Sequence, residues 1–368
     1  RKLEVDMGIM ISASHNKPTE NGIKFLTEQG HRLSAEDEEW MEQLILGSLI
    51  HTPNGSAHRR KGGIIQHKDA PRSYIEFLQS VALASHLEGL KVALDCAYGA
   101  TSKVARQFFE QLQIKVYSIH DTPDGKSINC GGVVNPSFLR ALVLESNADV
   151  GFAFDGDGDR IAAVDETGTI LDGDDLMGII VLYLLQNNKL SKNTFVATQM
   201  SNQGFILCLE QYGAKVLYTH LGEKNILSVL LHEGLNFGGE KSGHILMLDY
   251  APTSDGLLTA LQILKIMKAT QKPLSELARC IHKHPQVFVN VRVKQKRPFV
   301  SIPPIWNAIV QSKEALKGKG RLLVRYSGTE DLVRIMVEGA DELFVRKIAS
   351  SLARTFEKEI GIEEMVEG

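Results

Sequence analysis

The stretch Asp149-Val150-Gly151-Phe152-Ala153-Phe154-Asp155-Gly156-Asp157-Gly158-Asp159-Arg160 joins a short apolar run to three alternating aspartates. The apolar run is typical of a buried β-strand, which places the carboxylates at the end of that strand. The two glycines permit a tight turn in which alternate side chains converge. Because converging carboxylates repel one another, residues 155–159, called here the carboxylate loop, predict a bound cation. Oxygen ligands favour a hard ion such as Mg²⁺, Mn²⁺ or Ca²⁺.

Two other interpretations of the carboxylate loop compete with the cation site. Sequences rich in Asp and Gly also form solvated turns. An EF-hand loop would have Glu166 at its twelfth position, but its sixth position requires glycine and holds Arg160. An EF-hand also needs flanking helices, whereas residues 150–154 and 161–164 have the pattern of strands. The sequence therefore argues against an EF-hand.

The composition is that of a soluble globular protein. The chain has 368 residues, enough for two to four domains, with 43% apolar and 23% charged residues. A net charge of −3 gives no reason to expect nucleic acid or an anionic membrane as a partner. No signal peptide is visible, and the longest apolar runs are too short to span a bilayer. Four widely spaced cysteines without a CxxC pair suit a reducing cytoplasm.

Predicted strands and helices alternate along most of the chain, which indicates α/β domains. The last block differs, because its three strands and one long helix predict a small α+β domain. The chain begins with Arg1 and soon enters a strand-like run at residues 7–11, so we expect the start of its first domain to be missing. Predicted strands lie at residues 90–95, 114–119, 150–154, 194–197, 215–218, 287–293, 321–326 and 332–338. Predicted helices lie at residues 102–111, 138–146, 176–185, 203–211 and 342–359.

A candidate nucleophile follows the first strand, in the serine loop Ile11-Ser12-Ala13-Ser14-His15-Asn16. No G-x-S-x-G elbow surrounds Ser14, which disfavours acyl transfer. Its hydroxyl needs a base, or it carries a phosphoryl group already. Ser12 is the nearby alternative, and an ordinary Ser/Asn turn is the plain one. Lys24 is a candidate general acid/base, although a lone lysine is more often a solvated surface residue.

Two later loops carry groups suited to a phosphorylated sugar. The stretch Gly238-Gly239-Glu240-Lys241-Ser242-Gly243-His244, called here the GEKSGH loop, offers hydrogen-bonding groups for sugar hydroxyls. The stretch Arg325-Tyr326-Ser327-Gly328-Thr329-Glu330, called here the arginine loop, resembles an anion cradle, with Arg334 close behind. Each has a plain alternative, a polar loop or a capped turn. Together with the cation site and the nucleophile they form the set that a phosphosugar enzyme needs.

With these four loops in this order, the chain resembles the α-D-phosphohexomutase superfamily over essentially its whole length. Within it, Asp172-Gly173-Asp174 and Ser254-Asp255-Gly256 favour the bacterial branch that acts on glucosamine phosphates. The resemblance implies related α/β domains followed by a C-terminal domain like the TATA-binding-protein fold. The domains expected from it are residues 1–70 with the serine loop, 71–167 with the carboxylate loop, 168–284 with the GEKSGH loop and 285–368 with the arginine loop.

The resemblance also implies roles for individual residues. A phosphoserine at Ser14 would share one Mg²⁺ per chain with Asp155, Asp157 and Asp159. The residues expected to handle protons or orient the phosphoserine are Lys24, Arg160 and His244. Those expected to bind substrate are Glu240, Ser242, His244, Arg325, Ser327, Gly328, Thr329 and Arg334.

The implied activity interconverts glucosamine 6-phosphate and glucosamine 1-phosphate through a bisphosphate, in the cytoplasm, as a step toward UDP-N-acetylglucosamine. The partners would be the hexosamine phosphates, and the oligomeric state stays open. The alternatives are a phosphomannomutase or phosphoglucomutase activity, or an inactive truncated sugar-phosphate-binding protein. Lys241 stands where the glucosamine branch usually has glutamine, and Glu223-Lys224 replaces the family's common Asp-Arg.

Overall fold

A computed structural model describes residues 4–47, 63–83, 85–327 and 330–362 of the chain. Contacts within the chain group it into two compact units. The first comprises Arg1–Gln199 and Lys215–Arg279, and the second comprises Met200–Ala214 and Cys280–Gly368. The chain therefore passes from one unit to the other after residues 199, 214 and 279.

The described residues alternate between strands and helices along most of the chain. The strands are β1 (Met7–Ser12), β2 (Gly22–Thr27), β3 (Lys91–Asp95), β4 (Lys115–Ile119), β5 (Val150–Phe154), β6 (Ile161–Asp165), β7 (Ile170–Leu171), β8 (Thr194–Thr198), β9 (Lys215–Thr219), β10 (Phe237–Gly239), β11 (Ile245–Met247), β12 (Gln286–Arg292), β13 (Gly320–Tyr326) and β14 (Leu332–Gly339). The helices are α1 (Ala35–Ile45), α2 (Ala70–Ala82), α3 (Ala105–Gln111), α4 (Ser137–Ser146), α5 (Gly173–Gln186), α6 (Gln203–Gln211), α7 (Glu223–Glu233), α8 (Gly256–Thr270), α9 (Leu274–Ala278), α10 (Pro303–Leu316) and α11 (Glu342–Ile360).

The described residues of the first unit include three sheets, with helices between their strands. A five-stranded sheet has the order β4-β3-β5-β6-β7, in which β4, β3 and β5 are parallel and the last two strands are antiparallel. All five residues of β5 are buried, as the apolar run at 150–154 predicted. A four-stranded sheet has the order β11-β10-β8-β9. The third is the antiparallel pair β1–β2, which sets Met10 opposite Lys24 and Ser12 opposite Gly22.

Loops at the strand ends carry the chemistry of this unit. The serine loop leads out of β1, the carboxylate loop follows β5 and leads into β6, and the GEKSGH loop connects β10 to β11. The strands on both sides of the carboxylate loop confirm that it is not an EF-hand. Because all three loops are anchored at the ends of paired strands, the backbone positions at which they begin are fixed by the sheets.

The second unit contains the α+β domain that the last block predicted, together with Met200–Ala214. Its sheet is antiparallel with the order β12-β14-β13, and α10 and α11 pack with it around one apolar core. The core includes Val291, Ile309, Val333, Leu352 and Phe356. The buried residues of α11 recur at helical spacing and form one apolar face, as the amphipathic sequence of the helix predicts.

A buried ion pair ties α6 to this sheet within the second unit. Glu338 on β14 is fully buried, and its Oε2 lies 2.6 Å from Nη2 of Arg321 on β13. The same Nη2 donates to the carbonyl of Ser201 over 2.7 Å, and the amide of Gln203 donates to Oε1 of Glu338. A buried carboxylate needs such partners, so the N-terminus of α6 completes the environment of Glu338.

Most predicted elements are confirmed within one or two residues, and α6 is confirmed over residues 203–211. Two helices differ from prediction. Residues 100–103 form a separate 3₁₀ turn ahead of α3. Helix α5 begins earlier, at Gly173, because Asp172 and Asp175 form a reciprocal capping box at its start. Among the described residues, no helix combines the length and apolar character needed to cross a membrane.

Candidate active site

The three aspartates of the carboxylate loop converge, with Asp155 buried and Asp157 and Asp159 partly buried. Asp155, Asp157 and Asp159 each offer a carboxylate oxygen, and these atoms lie within 4.8 Å of one another. One oxygen of each (Oδ2 of Asp155, Oδ1 of Asp157 and Oδ1 of Asp159) is buried without a hydrogen-bond partner in the described part of the chain. Unpaired carboxylate oxygens that converge are the donor set of a hard divalent cation. The geometry therefore fits a divalent metal site.

Burial and mutual repulsion shape the charge of this cluster. Burial raises the pKa of Asp155 well above its usual range, and the neighbouring charges of Asp159 and Asp157 raise it further. Burial also raises the pKa of Asp157, but hydrogen bonds from Lys24 and Ser12 outweigh it, so that pKa lies below its ordinary value. A proton therefore resides on Asp155 more readily than on Asp157 when no cation is present.

Lys24 is brought into the cluster from β2. Its Nζ lies 2.7 Å from Oδ2 of Asp157 and 2.9 Å from Oδ2 of Asp159. Burial lowers the pKa of Lys24, but the two carboxylates more than compensate and hold it above its ordinary value. With all groups ionised, three carboxylates and one ammonium sum to a charge of −2, which a divalent cation would balance. Lys24 is thus an ion-paired residue and not the solvated surface lysine of the plain alternative.

The backbone of the carboxylate loop is held by its first aspartate. Oδ1 of Asp155 accepts hydrogen bonds from the amides of Gly158 and Arg160, each over 3.1 Å. Gly158 has a φ of +77°, a conformation that glycine adopts without strain. A side chain at Gly156 would lie 2.7 Å from the carbonyl oxygen of Ser14, so only glycine lets the serine loop approach this closely.

Ser12 joins the serine loop to the carboxylate loop. Its Oγ accepts a hydrogen bond from the amide of Ser14 over 2.7 Å and donates one to Oδ2 of Asp157 over 2.9 Å. Ser14 itself has a φ of +50°, and its Oγ lies 3.4 Å from Nδ1 of His15. Burial lowers the pKa of His15, and nearby Arg160 and His244 lower it further. The structure therefore gives Ser12 two hydrogen bonds and leaves the hydroxyl of Ser14 next to the imidazole of His15, whose lowered pKa favours the neutral form.

Arg160 and His244 meet on the other side of the cluster. Nε of Arg160 donates to Nε2 of His244 over 2.9 Å, and it lies 3.9 Å from Oδ2 of Asp155. Nδ1 of His244 lies 3.1 Å from Oγ of Ser254. The amide and the hydroxyl of Ser254 both donate to Oε1 of Glu223, over 2.7 and 2.9 Å.

Glu223 is an ionised end point for this chain of hydrogen bonds. Burial raises its pKa, but hydrogen bonds from Ser254 and Thr253 lower it more, and the net pKa lies below the ordinary value. In the sequence, Glu223 stands out only as a departure from the family pattern, and nothing assigns this role to Ser254. The two residues lie 31 positions apart, so no local sequence pattern predicts their contact.

Within the GEKSGH loop, Glu240 is buried, and both of its carboxylate oxygens accept hydrogen bonds. Ser242 donates from Oγ to Oε1 of Glu240 over 2.7 Å, and the amide of Gly222 donates to Oε2 over 3.2 Å. Nε2 of His244 lies 4.0 Å from Oε1 of the same carboxylate. The structure thus brings together Glu240, Ser242 and His244 in the first unit.

The arginine loop lies in the second unit. Arg325 on β13 and Arg334 on β14 are directly paired across the sheet, so the two like charges face the same side. Arg334 also bonds from Nη2 to Oε2 of Glu330 over 2.6 Å, and Ser327 is buried. The remaining predicted residues of this loop, Gly328 and Thr329, lie outside the described residues. Two arginines at paired positions on one face of the sheet are a favourable setting for an anion.

The phosphoglucomutase/phosphomannomutase family matches the chain in four segments. Its alpha/beta/alpha domains I, II and III match residues 1–48, 72–168 and 172–284. Its C-terminal domain matches residues 288–355. The order of the four matches is the order of the four loops described above.

Similar proteins agree with this match. A phosphoglucosamine mutase of Geobacter sp. (strain M21) is 43% identical over 363 residues, which cover 98% of this chain and 80% of that protein. One of Geobacillus kaustophilus (strain HTA426) is 43% identical over 366 residues, 99% of this chain and 81% of that protein.

Solved structures share the fold at lower identity. A phosphoglucomutase/phosphomannomutase family protein of Burkholderia thailandensis superposes with a TM-score of 0.77 at 20% identity, covering 97% of this chain and 78% of that one. The N-acetylphosphoglucosamine mutase of Aspergillus fumigatus, solved with GlcNAc-6P and magnesium, gives 0.75 at 18% identity and covers 96% and 89%. On the strength of the four matched domains and the 43% identity, the chain belongs to the phosphoglucomutase/phosphomannomutase family.

Proposed function

We propose that this protein interconverts glucosamine 6-phosphate and glucosamine 1-phosphate through a phosphoserine at Ser14, as an isomerase that supplies the precursor of a UDP-amino sugar. The observation that carries the proposal is the link from the serine loop to the carboxylate cluster, made by Ser12 and Asp157. It joins a hydroxyl nucleophile to a cation site, which is the arrangement that phosphoryl transfer requires. The 43% identity to phosphoglucosamine mutases supports glucosamine as the sugar.

Asp155, Asp157 and Asp159 would hold Mg²⁺, the hard cation that their oxygens fit. When bound there, Mg²⁺ would offset negative charge on the phosphoryl group during transfer. Lys24 keeps two of these carboxylates oriented through its ion pairs.

In the first half-reaction, a sugar hydroxyl attacks the phosphorus of phosphorylated Ser14. The bond from phosphorus to Oγ of Ser14 breaks, and the serine oxygen leaves with its electron pair and takes up a proton. The sugar hydroxyl gives up its proton to a general base. His244 is the candidate base once its Nε2 is released from Arg160, whereas the ion-paired Lys24 is an ammonium and would act as a proton donor. Arg160 would orient the phosphoryl group, since its guanidinium lies beside Asp155 and His244. The products are the sugar bisphosphate and unmodified Ser14.

In the second half-reaction, the bisphosphate has turned so that its other phosphate faces Ser14. The serine hydroxyl attacks that phosphorus and gives up its proton to a base, and the sugar oxygen leaves and takes up a proton. Arg325, Ser327, Gly328, Thr329 and Arg334 would hold whichever phosphate is not reacting, and Glu240 and Ser242 would bind sugar hydroxyls. This division of labour assigns one loop to each of four domains, at residues 1–70, 71–167, 168–284 and 285–368. We also propose a cytoplasmic setting, since the four cysteines are widely spaced and lack a CxxC pair.

The test is turnover with three sugars. The protein is supplied with Mg²⁺ and a trace of hexose 1,6-bisphosphate, and the 6-phosphates of glucosamine, glucose and mannose are compared by kcat/KM. Glucosamine 6-phosphate should be preferred, and Ser14→Ala should show no turnover with any of them. A preference for glucose or mannose would overturn the glucosamine assignment. Full turnover in Ser14→Ala would overturn the phosphoserine mechanism.

A further inference from the structure

The serine loop holds its central residue in a conformation that most side chains avoid. Ser14 has a φ of +50°, in the left-handed region, and the amide of Asn16 donates to the carbonyl of Ala13 over 3.0 Å to close the turn. A non-glycine residue in this region costs on the order of 1–3 kcal/mol and persists only where surrounding contacts impose it. Besides the contacts within the loop, it is held by contacts from outside it.

One side chain from far along the sequence grips the loop on both sides of His15. Nδ2 of Asn129 donates to the carbonyl oxygen of Ser14 over 2.7 Å and to that of Asn16 over 2.8 Å. An amide NH₂ has two hydrogens, and both are used. The opposite orientation of the amide would set its oxygen against two carbonyl oxygens, so the network fixes which atom faces the loop.

Asn129 is itself held firmly. It is 8% exposed, has a φ of +64°, and donates from its own amide to the carbonyl of Ala97 over 3.0 Å. Its Oδ1 is buried without a hydrogen-bond partner among the described residues. An unpaired buried acceptor is unfavourable, and rotating the amide to satisfy it would release both carbonyls of the loop.

The carbonyl of Ser14 is therefore a junction of three segments. Asn129 contacts it from one side, and Gly156 of the carboxylate loop packs against it from another. On the other side of the residue, the amide of Ser14 is bonded to Ser12, which is bonded to Asp157. With both its amide and its carbonyl fixed, the direction of the Cα–Cβ bond of Ser14 is determined relative to the carboxylates.

We infer that Asn129 is a positioning residue for the phosphoserine: by clamping the carbonyls of Ser14 and Asn16 it aims Oγ of Ser14 at the carboxylate cluster. The inference rests on the proposed function for its catalytic meaning. The hydrogen bonds of Asn129 described above all go to main-chain carbonyls, and Asn129 belongs to none of the four substrate or metal loops. Its effect should therefore fall on the transfer step and spare substrate binding.

The test compares two variants of opposite character. Asn129→Asp keeps the volume but replaces the donor with an acceptor that repels both carbonyls, whereas Asn129→Ala only removes the donor. If Asn129 acts as a donor, kcat falls in both variants and falls further in Asn129→Asp, on the order of 10²-fold, with KM within about twofold. If Asn129 merely fills space, Asn129→Asp retains activity and Asn129→Ala does not, and that order would overturn the inference.

A second readout does not depend on activity. Hydrogen exchange of the amides of Ser14 and Asn16, measured on the millisecond scale, should accelerate by roughly tenfold in both variants. Asn236→Asp is the matched control, since Nδ2 of Asn236 also donates two hydrogen bonds, to the carbonyl of Lys189 and to Asp249. Unchanged exchange in the Asn129 variants would overturn the clamp. If the Asn129 variants exchange faster but the wild-type protein shows no mutase turnover, the proposed function is overturned and the clamp stands.

Discussion

Nε of Arg160 donates a hydrogen bond to Nε2 of His244 over 2.9 Å, and this contact decides which ring nitrogen of His244 carries the proton. The Nε–H of arginine is always a donor, so Nε2 must be the acceptor. The proton of the neutral ring then lies on Nδ1, where it can be donated to Oγ of Ser254. The hydroxyl of Ser254 in turn donates a hydrogen bond to Glu223. Every hydrogen bond in this series therefore has one donor and one acceptor.

We expect His244 to populate the Nδ1–H tautomer when neutral. Nitrogen-15 chemical shifts of labelled histidine would report it, with the signal assigned by its loss in His244→Gln. In Arg160→Ala the constraint on Nε2 disappears, and the ring should shift toward the Nε2–H form. The Nε2–H tautomer in the wild-type protein would contradict the donor assignment.

The two serines of the serine loop should differ in kind. Ser14→Ala should abolish incorporation of phosphate from a hexose 1,6-bisphosphate, because the acceptor oxygen is gone. Ser12→Ala should still be phosphorylated, but roughly tenfold more slowly, since it loses a charge-assisted bond to Asp157 and the bond from the amide of Ser14. Intact mass before and after phosphatase treatment measures both. Phosphate found on Ser12 in the wild-type protein would reverse the assignment.

Cation binding to the carboxylate cluster should release protons in mildly acidic buffer. The raised pKa of Asp155 means that a proton must leave before the cation binds, so affinity should rise with pH. Without a cation the sign is the reverse: this group stabilises the fold at low pH, and its contribution is lost as pH rises through the raised pKa. Asp157→Asn should lower cation affinity at least about tenfold and release fewer protons, because one repelling charge is gone.

Calorimetric titration with Mg²⁺ in two buffers of different ionisation enthalpy measures both quantities. Asp124→Asn is the control, since Asp124 is an exposed turn residue that bonds to the amide of Lys126 and to Ser127. If Asp157→Asn matches the wild type in affinity, the metal assignment is wrong.

Arg325→Lys should lower kcat/KM by roughly ten- to a hundredfold in both reaction directions. A lysine cannot replace the bidentate, charge-assisted hydrogen bonds of a guanidinium to phosphate, which are worth about 1.5–3 kcal/mol. More bisphosphate should also escape before it has turned. The matched control is Arg346→Lys, an exposed arginine of the same unit that pairs with Glu342. Impairment in one direction alone would show that Arg325 does not hold the non-reacting phosphate.

The sequence predicted best where chemistry and periodicity are local. The strand at 150–154 and the aspartates behind it were predictable because burial, glycine and repulsion all act within twelve residues. The residues that the sequence did not reveal contact partners far away along the chain. Asn129 lies 115 positions from Ser14, and Ser254 lies 31 positions from Glu223. Sheet pairing and loop packing bring such residues together, and neither leaves a pattern in the residues themselves.

Ion pairing could not be predicted from residue type either. Taken alone, Lys24 has the expected properties of a surface lysine. Only the pairing of β1 with β2 and the position of the carboxylate loop bring it within 2.9 Å of two aspartates. Helix α5 shows the same limit on a smaller scale, because its start depends on a capping box that apolar periodicity does not include.

The membership of Met200–Ala214 in the C-terminal unit limits how relatives can be recombined. A chimera joined at residue 280 would take α6 from one parent and β13 and β14 from the other. The buried carboxylate of Glu338 would then depend on a foreign helix for the amide at position 203, and Arg321 for the carbonyl at position 201. Exchanging the unit intact requires junctions after residues 199, 214 and 279, so parents must be spliced at three points rather than one.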